Sequence, residues 1–319
     1  MTIRDLVLSL PKGDFKEWVK KYIFFLFYFL RRKGLHDDAI FSILNTFNYL
    51  RDLVNPDTVF SLNIKIPFLP YCKRHIREKN LWRADLSGVR LRGVDLSNAN
   101  LIGTNFSRSN LVKANLREAI IIKTNLEKAN LWKANLTKAL ILETNLKEAD
   151  LSDTRLRKAY LIKSNFILTY LPDSVLTESN IIKIDFSMAH LSGSNFSKTI
   201  FSEVNFSGAN INSARFEETI LRGINFFRAR LNFSEFFNSN LSKVNFTRAS
   251  LNEVDFVEAK IRESNFFGAD ASFSDFTDAK LSDVNFTRTD LTDTNLEETS
   301  MLGVTFKNTD LTGSNFKKK

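Results

Sequence analysis

The chain has 319 residues, 43% of them hydrophobic and 25% charged, and a net charge of +9. A single cysteine, Cys72, excludes an intramolecular disulfide. The longest apolar run, Tyr22 to Leu30, is far short of the roughly 20 residues a membrane-spanning helix needs. No secretory signal with a charged start, apolar run and small-residue cleavage site is present. The positive charge lies at the front: residues 1–80 sum to +6, residues 81–200 to +6 and residues 201–319 to −3.

Residues 1–80 carry no repeat. Asp14 and Glu17 form a capping box for a helix over about 14–33, which Gly34 stops. Its second part is apolar all round, and a helix of that kind is buried or sits in lipid. Trp18, Tyr22, Ile23, Phe24, Phe25, Phe27, Phe29 and Leu30 are therefore candidates either for packing within the protein or for peripheral membrane attachment beside Arg31, Arg32 and Lys33. A second helix is expected over 37–54, with Ile40, Ile43, Leu44, Phe47, Leu50 and Val54 on one face. Alternation of Phe60, Leu62, Ile64 and Ile66 with polar residues predicts a strand over 59–66 that caps the first coil of the repeat region.

From Leu81 to Phe316 every fifth residue is Leu, Ile, Phe or Met at 48 successive positions, Ala271 excepted. Two residues before each such centre, from Ala84 on, stands only Ala, Ser, Thr, Val or Ile, and the residue between is very often Asn or Asp. A period of five suits neither an α-helix nor a flat strand. It suits a chain that turns a corner every five residues, with the large and small columns pointing inward. Four corners close a coil of 20 residues, so 48 centres predict 12 coils.

Ala114-Asn115-Leu116, Ala129-Asn130-Leu131, Ala134-Asn135-Leu136 and Ala149-Asp150-Leu151 resemble the unit of the pentapeptide-repeat family, over about three quarters of the chain. The resemblance implies a β solenoid, a right-handed quadrilateral β-helix, over 81–319, and a non-enzymatic role. In the leader, Pro11-Lys12-Gly13, Glu17-Trp18, Phe24-Phe25 and Arg31-Arg32 resemble the PipB-type effectors, pentapeptide-repeat proteins that bacteria inject into host cells and that associate with host membranes. The chain lacks the longer middle region of those proteins.

Two longer periods lie inside the repeat. From Phe186 to Phe286 the centres are Phe at every tenth position, with Leu or Ile mostly between them. This predicts Phe stacks on two opposite walls. Outside the core, Trp82, Ile102, Ile122, Leu142, Ile162 and Ile182 follow centres at 20-residue steps, and Ile120, Leu140 and Tyr160 precede centres on the same wall. These nine residues predict one apolar stripe. It is either covered by the amino-terminal segment or a surface for another protein or a second copy of the chain. Residues 167–175, with Tyr170 and Pro172, keep the register but carry outward apolar side chains, which suggests a bulge.

His36, His75 and His190 have no companions at metal-ligand or triad spacing, and no phosphate-binding glycine loop occurs. Gly88, Gly93 and Gly103 fall at corners where a positive φ is useful. No catalysis and no cofactor are expected. The reading is a protein-interaction scaffold, cytoplasmic in the producing cell or secreted into a host without a cleavable signal. The alternative is a DNA mimic that binds a type II topoisomerase, as in the gyrase-protecting members of the family. A DNA mimic needs strong negative charge, whereas residues 81–319 sum to +3. Nucleic-acid binding through Lys113, Lys123, Lys128, Lys133 and Lys138 is disfavoured by the interleaved Glu118, Glu127 and Glu143. The edge at Phe316, followed only by Lys317, Lys318 and Lys319, leaves open a homodimer through the carboxyl-terminal coil.

Overall fold

The structure is a computed structural model that describes residues 81–315. The helices expected at 14–33 and 37–54, the strand at 59–66, the carboxyl-terminal edge at Phe316 and the three terminal lysines lie outside the described residues.

The described chain is a parallel β-solenoid with a constant 20-residue step. Ten three-residue strands form one parallel sheet in sequence order. They begin with β1 (Ile120–Ile122), β2 (Leu140–Leu142), β3 (Tyr160–Ile162) and β4 (Asn180–Ile182), and end with β10 (Ser300–Leu302). Single parallel bridges repeat the same step on the other three sides, from Asp85↔Asn105 to Asp290↔Asp310. The ten strands span nine steps, fewer than the 12 coils expected. The earliest coils pair only through single bridges, so no named strand forms there. We number the four walls by their centres: wall 1 contains Ile121, wall 2 Phe226, wall 3 Leu231 and wall 4 Phe236.

One repeat shows how a five-residue unit satisfies its backbone. Around Phe226, the N–H of Asn225 donates to Val204 O at 3.0 Å in the preceding coil. Those of Phe226 and Arg228 donate to Asn245 O at 2.7 Å and Thr247 O at 3.1 Å in the following coil. The Ala229 N–H closes the corner on Phe226 O at 2.9 Å. The remaining N–H, of Phe227, donates to Oδ1 of Asn225 at 3.2 Å. The recurrent Asn or Asp before each centre therefore supplies the acceptor that the corner lacks.

The corner requires a left-handed backbone two residues after each centre. Every such residue from Arg83 to Gly313 has a positive φ, and 38 of them are not glycine. Gly88, Gly93 and Gly103, with φ of 69°, 67° and 66°, are the predicted corner glycines.

The core is the two inward columns. Phe186, Phe206, Phe226, Phe246 and Phe266 stack on wall 2, and Phe196, Phe216, Phe236, Phe256 and Phe276 on wall 4, each fully buried or nearly so. Stacked centroids lie 4.6–5.1 Å apart within these columns. Rings of the two columns meet edge-on in the middle, as for Phe216 and Phe226 at 6.2 Å and 85°. The predicted Phe alternation is thus the packing of the shaft. Each buried ring contributes about 1.5–3 kcal/mol, repeated in every coil. The small column admits Ser and Thr because their hydroxyls reach carbonyls of the preceding coil, as Thr199 Oγ1 does to Leu176 O at 2.7 Å and Ser274 Oγ to Leu251 O at 2.7 Å.

The bulge suggested at 167–175 does not form. Asn165↔Asp185, Tyr170↔His190 and Val175↔Asn195 keep the step. Pro172 is tolerated because it stands just after its centre, where the backbone N–H takes no part in the coil-to-coil ladder.

Candidate functional site: the solenoid walls

Because identical positions recur 20 residues apart, each outward position becomes a column along a wall. On wall 1 the pairing Ile120↔Leu140↔Tyr160 and Ile122↔Leu142↔Ile162↔Ile182 brings the predicted apolar residues into one continuous band. Ile120, Leu140, Leu142, Ile162 and Ile182 are buried, and Trp82, Ile102, Ile122 and Tyr160 are half-buried. The band ends where the same column becomes Ser202 and the exposed Arg222. The membrane or packing residues Trp18, Tyr22, Ile23, Phe24, Phe25, Phe27, Phe29 and Leu30 lie outside the described residues.

Charges in the amino-terminal coils are paired one coil apart within a wall. Lys123 meets Glu143 at 3.5 Å, Lys128 meets Glu148 at 3.3 Å, Lys138 meets Glu118 at 3.3 Å and Lys158 meets Glu178 at 3.1 Å. Hydrogen bonds from Arg157 and Lys158 hold the Glu178 carboxyl below the usual range. Lys113 and Lys133 flank the Trp132 ring at 5.8 and 4.5 Å. The lysines considered for nucleic acid are therefore set among carboxylates and an aromatic ring.

The carboxyl-terminal coils keep some such pairs, Arg215 with Glu235 at 3.5 Å and Lys243 with Glu263 at 3.6 Å, but walls 2 and 4 there differ from each other in a way that sequence reasoning missed. Wall 4 from Arg215 to Glu298 presents nine carboxylates, among them Glu217, Glu235, Asp255, Glu258, Asp275 and Asp278, against one cation, Arg215. Burial raises the Glu235 pKa, helped by its hydrogen bond with Glu217. Burial also raises that of Asp255, with the charges of Asp275 and Glu217 adding to it. The opposite wall, wall 2, carries Arg228, Arg248, Arg288 and Lys307 between Asn225 and Asn308 with no carboxylate at all. Arg228 lies over Phe227 at 5.0 Å and Arg288 over Phe267 at 5.7 Å. Sorting charges by position within a 20-residue period would have revealed this.

Wall 2 also carries an amide ladder. Asn205 Nδ2 donates to Asp185 Oδ1 at 3.0 Å, Asn225 to Asn205 at 3.1 Å and Asn245 to Asn225 at 2.9 Å. A shallow depression near the first coils is lined by Ser87, Gly88, Ser107, Arg108, Asn125 and Glu127. Among the described residues no group of His, Cys, Asp and Glu is placed to hold a metal ion. His190 is exposed and lies 5.5 Å from the Tyr170 ring.

Unbroken five-residue corners closing a stacked parallel coil define a quadrilateral solenoid. The chain belongs to the pentapeptide repeat family. The family model described as pentapeptide repeats (8 copies) matches residues 84–121, 119–157 and 184–223, and that described as pentapeptide repeat region matches 239–316. Among solved structures, the chain is similar to HetL, a pentapeptide repeat protein involved in heterocyst differentiation regulation from the cyanobacterium Nostoc sp. strain PCC 7120. That match has 26% identity over 76% of this chain and 91% of that one, with a TM-score of 0.34. It is also similar to QnrB1, a plasmid-mediated fluoroquinolone resistance protein, at 17% identity over 50% of this chain and 87% of that one, with a TM-score of 0.25. A pentapeptide repeat protein of the Arabidopsis thaliana thylakoid lumen matches at 25% identity over 47% and 74%, with a TM-score of 0.20. No curated protein matches the chain significantly.

Proposed function

We propose that this protein is a non-enzymatic scaffold that offers its solenoid walls to a protein partner. One observation carries the reading: the 20-residue step turns isolated side chains into continuous faces of uniform chemistry, such as the exposed column Glu258, Asp278 and Glu298 of wall 4 and the apolar columns of wall 1, where Ile102 and Ile122 keep partial exposure beside buried neighbours. Faces of this kind suit extended recognition rather than bond-making chemistry. The leader resemblance extends the proposal to a secreted bacterial effector acting at host membranes.

The test is affinity capture with the full chain and an Ile122→Asp/Leu142→Asp variant of matched circular dichroism. Loss of the captured partners in the variant supports wall 1 as the docking face; an unchanged partner set overturns it. The acidic wall 4 favours a second reading, recognition of a type II topoisomerase by DNA mimicry. Its charge covers only the carboxyl-terminal coils and is backed by the basic wall 2. A supercoiling assay without inhibition removes this reading.

A further inference from the structure

We infer that two copies of this chain associate side by side through their carboxyl-terminal coils, wall 2 of one copy lying on wall 4 of the other. This goes beyond the scaffold reading and does not depend on the wall 1 stripe.

The first argument is the contrast between the two ends of the solenoid. In the amino-terminal coils, opposite charges neutralise each other within a wall, as Lys128 and Glu148 do. In the carboxyl-terminal coils such pairs persist at Arg215–Glu235 and Lys243–Glu263, but beyond Glu235, among the described charged residues, wall 2 carries only cations and wall 4 only carboxylates. Arg228, Arg248 and Arg288 form no ion pair with any described residue, and Glu258, Asp278 and Glu298 form none on wall 4. Like charges one coil apart repel. The raised pKa values of Glu235 and Asp255 report that crowding together with burial. A surface complementary to wall 4 relieves it, and wall 2 of another copy is such a surface.

The second argument is register. Arg228, Arg248 and Arg288 occupy the same position after their centres as Glu258, Asp278 and Glu298, and all six are exposed. Both columns step in whole coils of about 4.8 Å, with Gly268 leaving a gap of one coil between Arg248 and Arg288. Arg228 and Arg248 of one wall can therefore face two successive carboxylates of the other at once without distortion. Phe227 and Phe267 on wall 2, and Phe237 and Val257 on wall 4, lie among the charges and supply apolar contact.

The third argument sets the strength. Five coils make a patch roughly 24 Å long, at the small end of specific interfaces. The association is therefore weak and strongly salt-dependent. Because the two surfaces are opposite faces of one molecule, the contact does not close on itself; it adds copies in a row.

Sedimentation velocity of the full chain tests this at low and high salt. The expected result is concentration-dependent association at about 20 mM salt, where screening reaches about 20–30 Å, and its loss at about 500 mM. The triple variant Arg228→Glu/Arg248→Glu/Arg288→Glu and the triple variant Glu258→Lys/Asp278→Lys/Glu298→Lys should each associate at least about tenfold more weakly than wild type. An equimolar mixture of the two should associate again, because each then presents the charge the other has lost. Circular dichroism of each variant confirms the fold. A wild-type chain that stays monomeric at low salt overturns the inference. So do variants that associate like wild type, which points to another surface such as the carboxyl-terminal edge, or a mixture that stays dissociated.

Discussion

The rings of Phe216 and Phe236 lie 4.6 Å apart and 1° from parallel, one coil above the other in the wall 4 column. Each also meets a wall 2 ring edge-on, Phe216 against Phe226 at 6.2 Å and Phe236 against Phe246 at 6.3 Å. A ring in the middle of this array touches neighbours on three sides. Phe236→Ala should therefore destabilise the solenoid by about 3–5 kcal/mol, whereas Phe236→Leu should cost much less. Urea denaturation of both variants checks this. Equal, small losses would show that the ring array adds little beyond apolar volume.

The corner geometry makes an opposite prediction for the surface. Phe233 and Phe273 hold φ of 62° and 59°, and both are more than half exposed. A left-handed backbone costs an L-residue about 1–2 kcal/mol, which glycine avoids. Replacing either by glycine should raise stability by about 0.5–1 kcal/mol after its greater unfolded-state entropy is counted. A lower denaturation midpoint in both variants would show that the exposed rings contribute more than the backbone strain removes.

The amide ladder depends on each Asn donating one way and accepting the other. Asn225 accepts from Phe227 N–H and Asn245, and its Nδ2 donates to Asn205 Oδ1 and, at 2.8 Å, to Ser207 Oγ. Asn225→Asp sets a carboxylate oxygen against the Asn205 carbonyl oxygen and should cost about 1–3 kcal/mol. Asp185 starts this run by accepting from Asn205, so Asp185→Asn, which keeps that acceptor, should be nearly neutral. Thermal melts of the pair make the comparison.

The crowded carboxylates of wall 4 give stability a pH dependence of defined sign. Burial raises the folded-state pKa of Asp255, so the folded chain binds its proton more tightly than the unfolded chain. Stability from this group is present below the ordinary aspartate range and is lost as pH rises through the raised value. Asp255→Asn keeps the oxygen that accepts the Val257 N–H at 2.7 Å. It should raise the melting temperature at pH 7 and lose that advantage as the wild-type carboxyl becomes protonated at acid pH. A lower melting temperature at pH 7 contradicts the sign.

The inward half of the molecule was legible because each inward position tolerates one kind of residue. Leu and Phe every fifth place fixed the corners, and the ten-residue Phe rhythm fixed the two stacks. The Asn before each centre was visible as a pattern. Its reason was not, because the unmatched N–H of the next-but-one residue appears only when every hydrogen bond in a coil is assigned. The outward half was partly legible. Ile102, Ile122, Leu142, Ile162 and Ile182 drew attention because apolar residues at outward places are conspicuous. The segregation of Arg228 and Arg248 from Glu258 and Asp278 was hidden in a sum of −3 for residues 201–319, which averages opposite walls. Residues 167–175 misled because outward apolar side chains such as Tyr170 looked out of place, although the step is unbroken and Pro172 stands where a missing N–H costs the ladder nothing.

The constant 20-residue step also governs how such a molecule can change in length. Removing one five-residue unit turns everything downstream by a quarter revolution. The arginine column would then continue from a different side, and the Phe stacks would meet Leu. Removing four units together shortens the shaft and leaves every remaining face aligned. Viable insertions and deletions in this lineage should accordingly come in whole revolutions.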